Sequence, residues 1–258
     1  MTTMCRNGLG IRRVQDVGLQ LYTLRSEMAA DFEGTLARVA ELGYREMEFA
    51  GYFGKSATEV RRTLDRLGIN SPAAHIQLQA VRDNLEGEIE YAATLGQKYI
   101  VVPSLPGNER TLSHYQQHAE LLNRAGEVCQ SAGLKMGYHN HDFEFEVTDG
   151  RVPYDILLAE TEPGLVDMEM DLFWIVTAGA NPVDYFENYP GRFTMLHVKD
   201  MARDGSMTDV GRGTINFSSL FTYVESAGFE HYFVEHDNPG DGLQSVAYSI
   251  NSIRNMVF

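Results

Sequence analysis

Metal-competent side chains occur two residues apart at the ends of several apolar runs in this 258-residue chain. The pairs are His139 and His141, Glu169 and Asp171, His197 and Lys199, and Glu235 and Asp237. Residues two apart in an extended strand point the same way, so each pair presents two polar groups to one face. Converging carboxylates and imidazoles suit a divalent metal, with Mn²⁺ favoured and Co²⁺, Fe²⁺, Zn²⁺ or Mg²⁺ as alternatives. Any one residue could equally be a surface charge, but their coincidence on four runs favours a site.

Eight strand-like runs carry these residues and set their positions. Seven of the runs follow a residue pair that ends in glycine, such as Leu42-Gly43 and Leu67-Gly68. Glycine at that position is typical of a helix end. The runs are Val17–Tyr22, Glu46–Ala50, Ala73–Gln77, Tyr99–Pro103, Lys135–Asn140, Val166–Asp171, Phe193–Val198 and Tyr232–Asp237. The pattern predicts eight strands separated by helices.

Helical spacing of apolar residues fills the intervals between the runs, as in Thr58–Leu67 and Asn84–Leu95. Eight such units in one chain of this length predict a closed parallel barrel or a doubly wound open sheet. The count favours the barrel, and the first run lacks the Gly-x-Gly-x-x-Gly turn of the dinucleotide-binding sheet. We therefore predict a single (βα)₈ barrel over residues 17–258, after an extension over residues 1–16. Such a barrel carries its site at the C-terminal ends of the strands, where the paired side chains lie.

Composition excludes several classes of function. The chain has 21 Lys and Arg against 36 Asp and Glu, and its formal net charge of −15 argues against a nucleic-acid partner. No apolar stretch approaches the roughly 20 residues that span a bilayer, so no membrane partner is expected. The first residues lack the apolar core of a secretory signal. Since Cys5 and Cys129 are the only cysteines, no disulfide framework is expected, and a reduced, cytoplasmic setting is the default.

Four segments carry a resemblance to a known family. They are Gly137–Phe145 (GYHNHDFEF), Glu169–Trp174 (EMDLFW), Leu196–Asp200 (LHVKD) and Tyr232–Pro239 (YFVEHDNP). In order and spacing, the chain from Gly18 onward resembles the xylose isomerase-like TIM-barrel superfamily, and within it the proteins described as sugar phosphate isomerases/epimerases. Relatives include D-tagatose 3-epimerase, hydroxypyruvate isomerase and inosose dehydratase. Because these relatives catalyse different reactions, the resemblance implies the fold but leaves the reaction open.

The resemblance implies a ligand set with one departure. Epimerase-type members hold one metal with a Glu, an Asp, a His and a Glu after strands five to eight, and Asp171, His197 and Glu235 match the last three. At the first position this chain has His139, with His141 as the alternative ligand. The family's two glutamates exchange protons with opposite faces of the substrate, and a metal-bound imidazole cannot readily take that role.

These observations predict a metal-dependent isomerase or epimerase of a sugar, keto-sugar or sugar derivative that works through an enediolate. The alternative is a lyase or dehydratase that acts on a 3-keto-sugar or an inosose with the same metal site, and a noncatalytic sugar-binding barrel ranks third. The expected catalytic residues are Glu235 as base, Lys199 as electrostatic partner or general acid, and Glu144 as the alternative base. The expected substrate contacts are His75, His141, Glu48 and Trp174. The oligomeric state stays open, although barrels of this class often form homodimers.

Overall fold

Eight parallel strands close into a barrel whose last strand pairs with its first. The computed structural model describes residues 13, 14 and 16–258, so most of the predicted extension over residues 1–16 lies outside the described residues. The barrel strands are β1 (Val17–Gln20), β2 (Glu46–Ala50), β3 (Asn70–His75), β4 (Tyr99–Val102), β5 (Lys135–His139), β6 (Val166–Asp171), β7 (Met195–Val198) and β10 (His231–Val234). A small antiparallel hairpin, β8 (Asp200–Met201) and β9 (Met207–Thr208), follows β7. The predicted (βα)₈ barrel is confirmed.

In the described part of the chain, nine α-helices lie between the strands and a tenth follows the last strand. They are α1 (Arg25–Ala30), α2 (Phe32–Leu42), α3 (Ala57–Leu67), α4 (Leu78–Leu95), α5 (Leu112–Ser131), α6 (Pro153–Glu160), α7 (Leu172–Thr177), α8 (Pro182–Asn188), α9 (Phe217–Phe221) and α10 (Gly242–Asn255). Their ends follow local chemistry: Ser56 and Glu59 form a capping box at the start of α3, and Gly68 ends that helix at a φ of 64°. No helix in the described part of the chain is both long and apolar enough to cross a membrane.

Two of the strands that carry polar residues, β2 and β6, have the predicted bounds, whereas others differ in their ends from the predicted runs. β1 ends at Gln20 rather than Tyr22, because the Gln20 side chain accepts the Tyr22 N–H at 3.0 Å and starts a 3₁₀ turn over Leu21–Leu24. β3 starts at Asn70 and ends at His75, two residues before the predicted end. β10 ends at Val234, so Glu235 belongs to the loop that follows the strand.

Apolar side chains fill the lower part of the barrel interior and form the floor beneath the polar residues. The inner cluster is Ala73, Tyr99, Val101, Met195 and Phe233. A Cβ at Gly18 would lie 2.5 Å from the Phe233 ring, so only glycine allows that ring to fill the barrel. A larger apolar cluster packs between the outside of the barrel and the helices. This apolar layer separates the polar side chains at the C-terminal end of the barrel from the pair of His231 and Glu46 at the opposite end.

A buried carboxylate fixes the segment between β7 and α9. Asp200 accepts backbone N–H groups from Gly211 and Gly213, each at 2.9 Å, and from Ile215 at 3.2 Å. It also accepts the N–H of Met201 at 2.8 Å. Because four donors converge on one side chain, the segment is anchored directly beside Lys199, the preceding residue.

Candidate active site

One group of four donors gathers at the C-terminal end of the barrel. It consists of His139, Asp171, His197 and Glu235, all buried, and one ligand atom from each lies within 4.8 Å of the others. The residues come from the ends of β5, β6 and β7 and from the loop after β10. The structure thus brings together all four residues that the sequence predicts as metal ligands.

Local hydrogen bonds hold Asp171 in place. Its Oδ1 accepts the N–H groups of Phe173 and Trp174 at 2.9 and 3.0 Å, which caps α7. The Asn140 side chain accepts the Asp171 N–H at 3.0 Å and donates to the Asp171 carbonyl at 3.3 Å. The second oxygen, Oδ2, is therefore left to face the other donors.

Neighbouring oxygens orient the two imidazoles of the group. His139 Nδ1 lies 3.0 Å from the carbonyl oxygen of Pro103, which only accepts, so this nitrogen carries the hydrogen. The lone pair of His139 is then on Nε2, which lies 3.2 Å from Asp171 Oδ2. In His197, Nε2 lies 2.7 Å from Glu48 Oε2, and Nδ1 faces Glu235 Oε2 at 2.8 Å.

A buried nitrogen of the group indicates that it fits a cation. Within the described residues, His197 Nδ1 has no hydrogen-bond partner, although Glu235 Oε2 lies 2.8 Å away. Buried polar atoms without a partner are uncommon in native proteins and often mark the place of an ion. Two imidazoles and two carboxylates are donors that Mn²⁺, Co²⁺, Fe²⁺ and Zn²⁺ accept. The four residues therefore fit a divalent metal.

Lys199 forms three ion pairs at the edge of the donor group. Its Nζ lies 2.9 Å from Asp171 Oδ2, 2.7 Å from Glu235 Oε2 and 2.8 Å from Asp237 Oδ1. Burial alone would lower the pKa of Lys199, but these carboxylates raise it well above its usual range. Conversely, burial alone would raise the pKa of Asp171 and Glu235, but Lys199 holds both below their usual range. The lysine is charged and both carboxylates are ionised.

A second polar layer lies deeper in the barrel. Glu48 Oε2 accepts from Gln20 at 2.8 Å as well as from His197, and His75 Nε2 lies 2.7 Å from Glu169 Oε2. Glu48, His75, Glu169 and His197 form another group whose donor atoms lie within 4.8 Å of one another. Burial, and then the neighbouring Glu169, raises the pKa of Glu48 to about 8. This layer shares His197 with the upper group and supports it from below.

A cavity of about 610 Å³ opens above the donor group. Its wall includes the expected His75, His139, His141, Lys199 and Glu235. Burial, and then His139, lowers the pKa of His141 to about 3, so this imidazole is neutral. Its ring stacks on Phe143 with 5.5 Å between the ring centroids, and its Nδ1 has no hydrogen-bond partner in the described residues. His141 therefore offers the cavity a fixed, uncharged group.

Three of the expected catalytic and substrate-contact residues lie away from the cavity wall. Glu48 belongs to the deeper layer and is fully buried, so it has no surface for a substrate. Glu144 lies behind β5, where it accepts the Tyr138 O–H at 2.5 Å and the His141 N–H at 2.8 Å. It therefore orients His141 and does not face the reacting atoms. Trp174 is in α7 and contacts His141, with 5.5 Å between the ring centroids.

The sequence-based predictions include no role for Gln20, and they place Glu48 in contact with the substrate, whereas Glu48 belongs to the deeper layer. Gln20 is the last residue of an otherwise apolar strand, and a buried amide at that point needs a partner. That is the signal that the sequence offers for a polar layer below the ligands. The histidine at the other end of the barrel, His231, bonds Glu46 at 2.8 Å and takes no part in the site.

Comparisons with known proteins agree with this architecture. The family model described as "Xylose isomerase-like TIM barrel" matches residues 36–256. An inosose dehydratase of Geobacillus kaustophilus is 27% identical, with 77% of each chain covered. A sugar phosphate isomerase/epimerase structure from Parabacteroides distasonis is 29% identical with a TM-score of 0.79, and covers 93% of each chain.

A third similar structure is the IolI protein with a bound zinc atom, which is 14% identical with a TM-score of 0.74. The match covers 92% of this chain and 96% of the IolI chain. At this low identity, the similarity shows a common fold alone. Together with the site geometry, the match to the family model over most of the chain confirms the resemblance carried by the four segments. The chain belongs to the xylose isomerase-like TIM-barrel family.

Proposed function

We propose that this protein is a metal-dependent lyase that acts on a 3-keto-sugar or an inosose. It would remove the proton beside the keto group and expel the substituent on the next carbon. One observation carries the proposal: among the described residues, Glu235 is the only carboxylate that belongs to the donor group and also lines the cavity. A single base on one face of the substrate suits elimination.

Epimerisation by two bases has less support. It needs a second acid or base on the opposite face of the substrate, and the strand-five position holds His139 instead of a glutamate. Both nitrogens of His139 have a role already, Nδ1 as donor to the Pro103 carbonyl and Nε2 as a ligand in the proposed metal site. Glu144, the alternative base, faces away from the cavity. The inosose dehydratase name of the Geobacillus relative also favours elimination.

In the proposed reaction, Glu235 and Lys199 carry out the proton transfers. A divalent metal held by His139, Asp171, His197 and Glu235 would act as a Lewis acid that polarises the keto group and acidifies the adjacent C–H bond. Glu235 takes that proton as the C–H electrons form the carbon–carbon double bond. Lys199, 2.7 Å from Glu235, protonates the oxygen of the leaving group as its C–O bond breaks, and then regains a proton from Glu235.

Isomerisation is the second candidate, because an aldose–ketose exchange through an enediolate also needs only one base. The isomerase/epimerase name of the Parabacteroides relative, at 29% identity, favours it. Both reactions begin with the same proton removal by Glu235. They differ in whether a substituent leaves the neighbouring carbon.

Product analysis in deuterated water separates the candidates. The Mn²⁺-loaded protein would be incubated with 2-keto-myo-inositol and, separately, with methyl 3-keto-β-D-glucopyranoside. Loss of water or of methanol, with an unsaturated keto product, would support the lyase. A product of the same composition that carries deuterium would instead establish the isomerase. No deuterium uptake and no product with either compound or with ketohexoses would overturn both.

A further inference from the structure

The cavity is larger than a single sugar ring requires. Its volume of about 610 Å³ has room for about 20 water molecules at about 30 Å³ each, whereas a hexose has only twelve non-hydrogen atoms. It falls in the range of about 300–1,000 Å³ that holds larger organic ligands. The cavity therefore has room for a group attached to the sugar ring.

The wall of this extra space is mostly apolar and aromatic. The metal donors of the cavity, Lys199 and Asp237 lie at or after the ends of β5, β7 and β10, whereas the chain at and after the ends of β1, β2 and β3 contributes Tyr22, Ala50, Tyr52, Ile76 and Ala80. We name these five residues the aromatic wall; the same part of the chain also contributes the polar His75, Gln77 and Glu88 to the cavity. Tyrosine rings give a large contact area to a flat apolar group. One cavity thus joins a half that carries the metal donors to a half that is mostly apolar.

Both tyrosines of the aromatic wall are held in place by neighbours. The Arg25 guanidinium lies 4.2 Å from the centroid of the Tyr22 ring and donates to the carbonyl of Asp237 at 2.8 Å. Arg25 thereby ties Tyr22 to the loop that carries Glu235 and Asp237. The Tyr52 ring stacks on Tyr91 with 3.9 Å between centroids, and its hydroxyl bonds Gln97 at 3.2 Å. The wall is therefore rigid before any ligand arrives, which lowers the entropic cost of binding.

We propose that the aromatic wall binds the aglycone of a 3-keto-glycoside, and that this aglycone is an aromatic group that leaves in the elimination. The proposal rests on the proposed function, in which Glu235 removes the proton from C2, beside the C3 keto group. The C–H electrons form the C1–C2 double bond, and the C1–O bond breaks. The aglycone leaves as an alcohol after it takes a proton from Lys199. An inosose carries hydroxyl groups all round and has no group that suits such a wall.

Two glycosides with similar leaving groups test the subsite. Benzyl and methyl 3-keto-β-D-glucopyranoside both release an alkyl alcohol, so they differ mainly in the aromatic ring. We would measure kcat/KM for both with the Mn²⁺-loaded protein and with Tyr22→Ala and Tyr22→Phe. The Ala variant should lower the benzyl-to-methyl ratio roughly tenfold, the scale of a lost aromatic contact, and the Phe variant should retain it.

Tyr248→Ala is the matched control. Tyr248 is 38% exposed and has Arg212 at 4.0 Å from its ring, much as Tyr22 is 41% exposed with Arg25 beside it, but it lies in α10 away from this cavity. This variant should keep the wild-type ratio. Equal losses on both substrates in Tyr22→Ala, or no loss, would overturn the subsite while leaving the lyase intact.

Binding of unoxidised glucosides separates failure of the subsite from failure of the proposed reaction. Benzyl and methyl β-D-glucopyranoside have no keto group, so calorimetry reports their affinity without turnover. Tighter binding of the benzyl compound that Tyr22→Ala abolishes would uphold the subsite even if neither keto-glycoside reacts. Equal affinities of both glucosides, together with equal turnover of both keto-glycosides, would overturn it.

Discussion

His197 Nε2 lies 2.7 Å from Glu48 Oε2, although the two residues are 149 positions apart in the chain. Gln20 donates to the same Glu48 oxygen at 2.8 Å, and all three side chains are buried. Because the Glu48 oxygen accepts the Nε2–H, Nδ1, which faces Glu235 and Asp171, is the nitrogen that can bind a metal. Glu48 therefore sets the orientation of His197.

At about pH 9, above the pKa of Glu48, replacement of Glu48 by Gln should weaken metal binding by about tenfold or more, because a neutral amide holds the imidazole less firmly than a carboxylate does. Competition with a chelator of known affinity measures the effect. Glu46→Gln is the control, since Glu46 lies on the same strand and bonds His231 at the opposite end. Unchanged metal affinity in Glu48→Gln would show that other contacts orient His197.

Metal content tests the donor group directly. We expect about one divalent ion per chain, because two carboxylates balance the charge of one ion. EDTA should abolish turnover, and Asp171→Ala should lose the ion. Asp184→Ala, in the exposed first turn of α8, serves as the control. Full activity of metal-free protein would contradict the assignment.

The two strand-five histidines should behave differently. His139 belongs to the donor group, so His139→Ala should lower metal affinity strongly. His141 lines the cavity between Phe143 and Trp174 and is outside that group, so His141→Ala should mainly raise KM. Metal titration and steady-state kinetics of both variants decide. Loss of metal from the His141 variant with retention in the His139 variant would exchange the two roles.

Glu235→Gln keeps the shape of the side chain and one oxygen donor while it removes the basicity. It should lower kcat by roughly 10²-fold or more, with a smaller effect on metal affinity. Glu230→Gln, just before the same strand at the opposite end of the barrel, should retain turnover. Normal proton exchange by the Glu235 variant would assign the base to another carboxylate.

Stability should depend on pH through Glu144. Burial raises the pKa of Glu144 from 4.5 to about 7, so between these values the folded protein binds the proton more tightly than the unfolded chain. Its contribution to stability is present below pH 4.5 and is lost as the pH rises through about 7. Between about pH 5 and about pH 8, the free energy of unfolding of wild type relative to Glu144→Gln should fall by about 3 kcal/mol.

Chemical denaturation in EDTA measures that difference without a contribution from bound metal. Glu146→Gln, an exposed neighbour, should track wild type at every pH. If the Glu144 variant also tracks wild type, Glu144 does not titrate in this range.

Two sequence patterns predicted most of the barrel: the alternation of side chains along strands and the glycines that precede seven of the strand-like runs. Glycines at helix ends, such as Gly68, located the strands, and the polar pairs at strand ends located the donor group. The alternation rule does not predict where a side chain points once the strand has ended, however. β5 ends at His139, and the 3₁₀ turn over Phe143–Phe145 directs Glu144 behind the strand. The sequence also could not predict how deep in the barrel Glu48 lies, because that depth depends on how strands distant in the sequence are staggered.

The two halves of the cavity come from different parts of the chain. All four donors lie between His139 and Glu235, whereas the aromatic wall lies between Tyr22 and Ala80. If the proposed subsite is correct, a crossover in the gene between these regions would exchange the aromatic wall while it keeps the four donors, provided that Gln20 and Glu48 remain. Substrate range and reaction type in such a barrel can evolve at separate rates, and chimeras of the first 80 residues offer a direct route to new substrates.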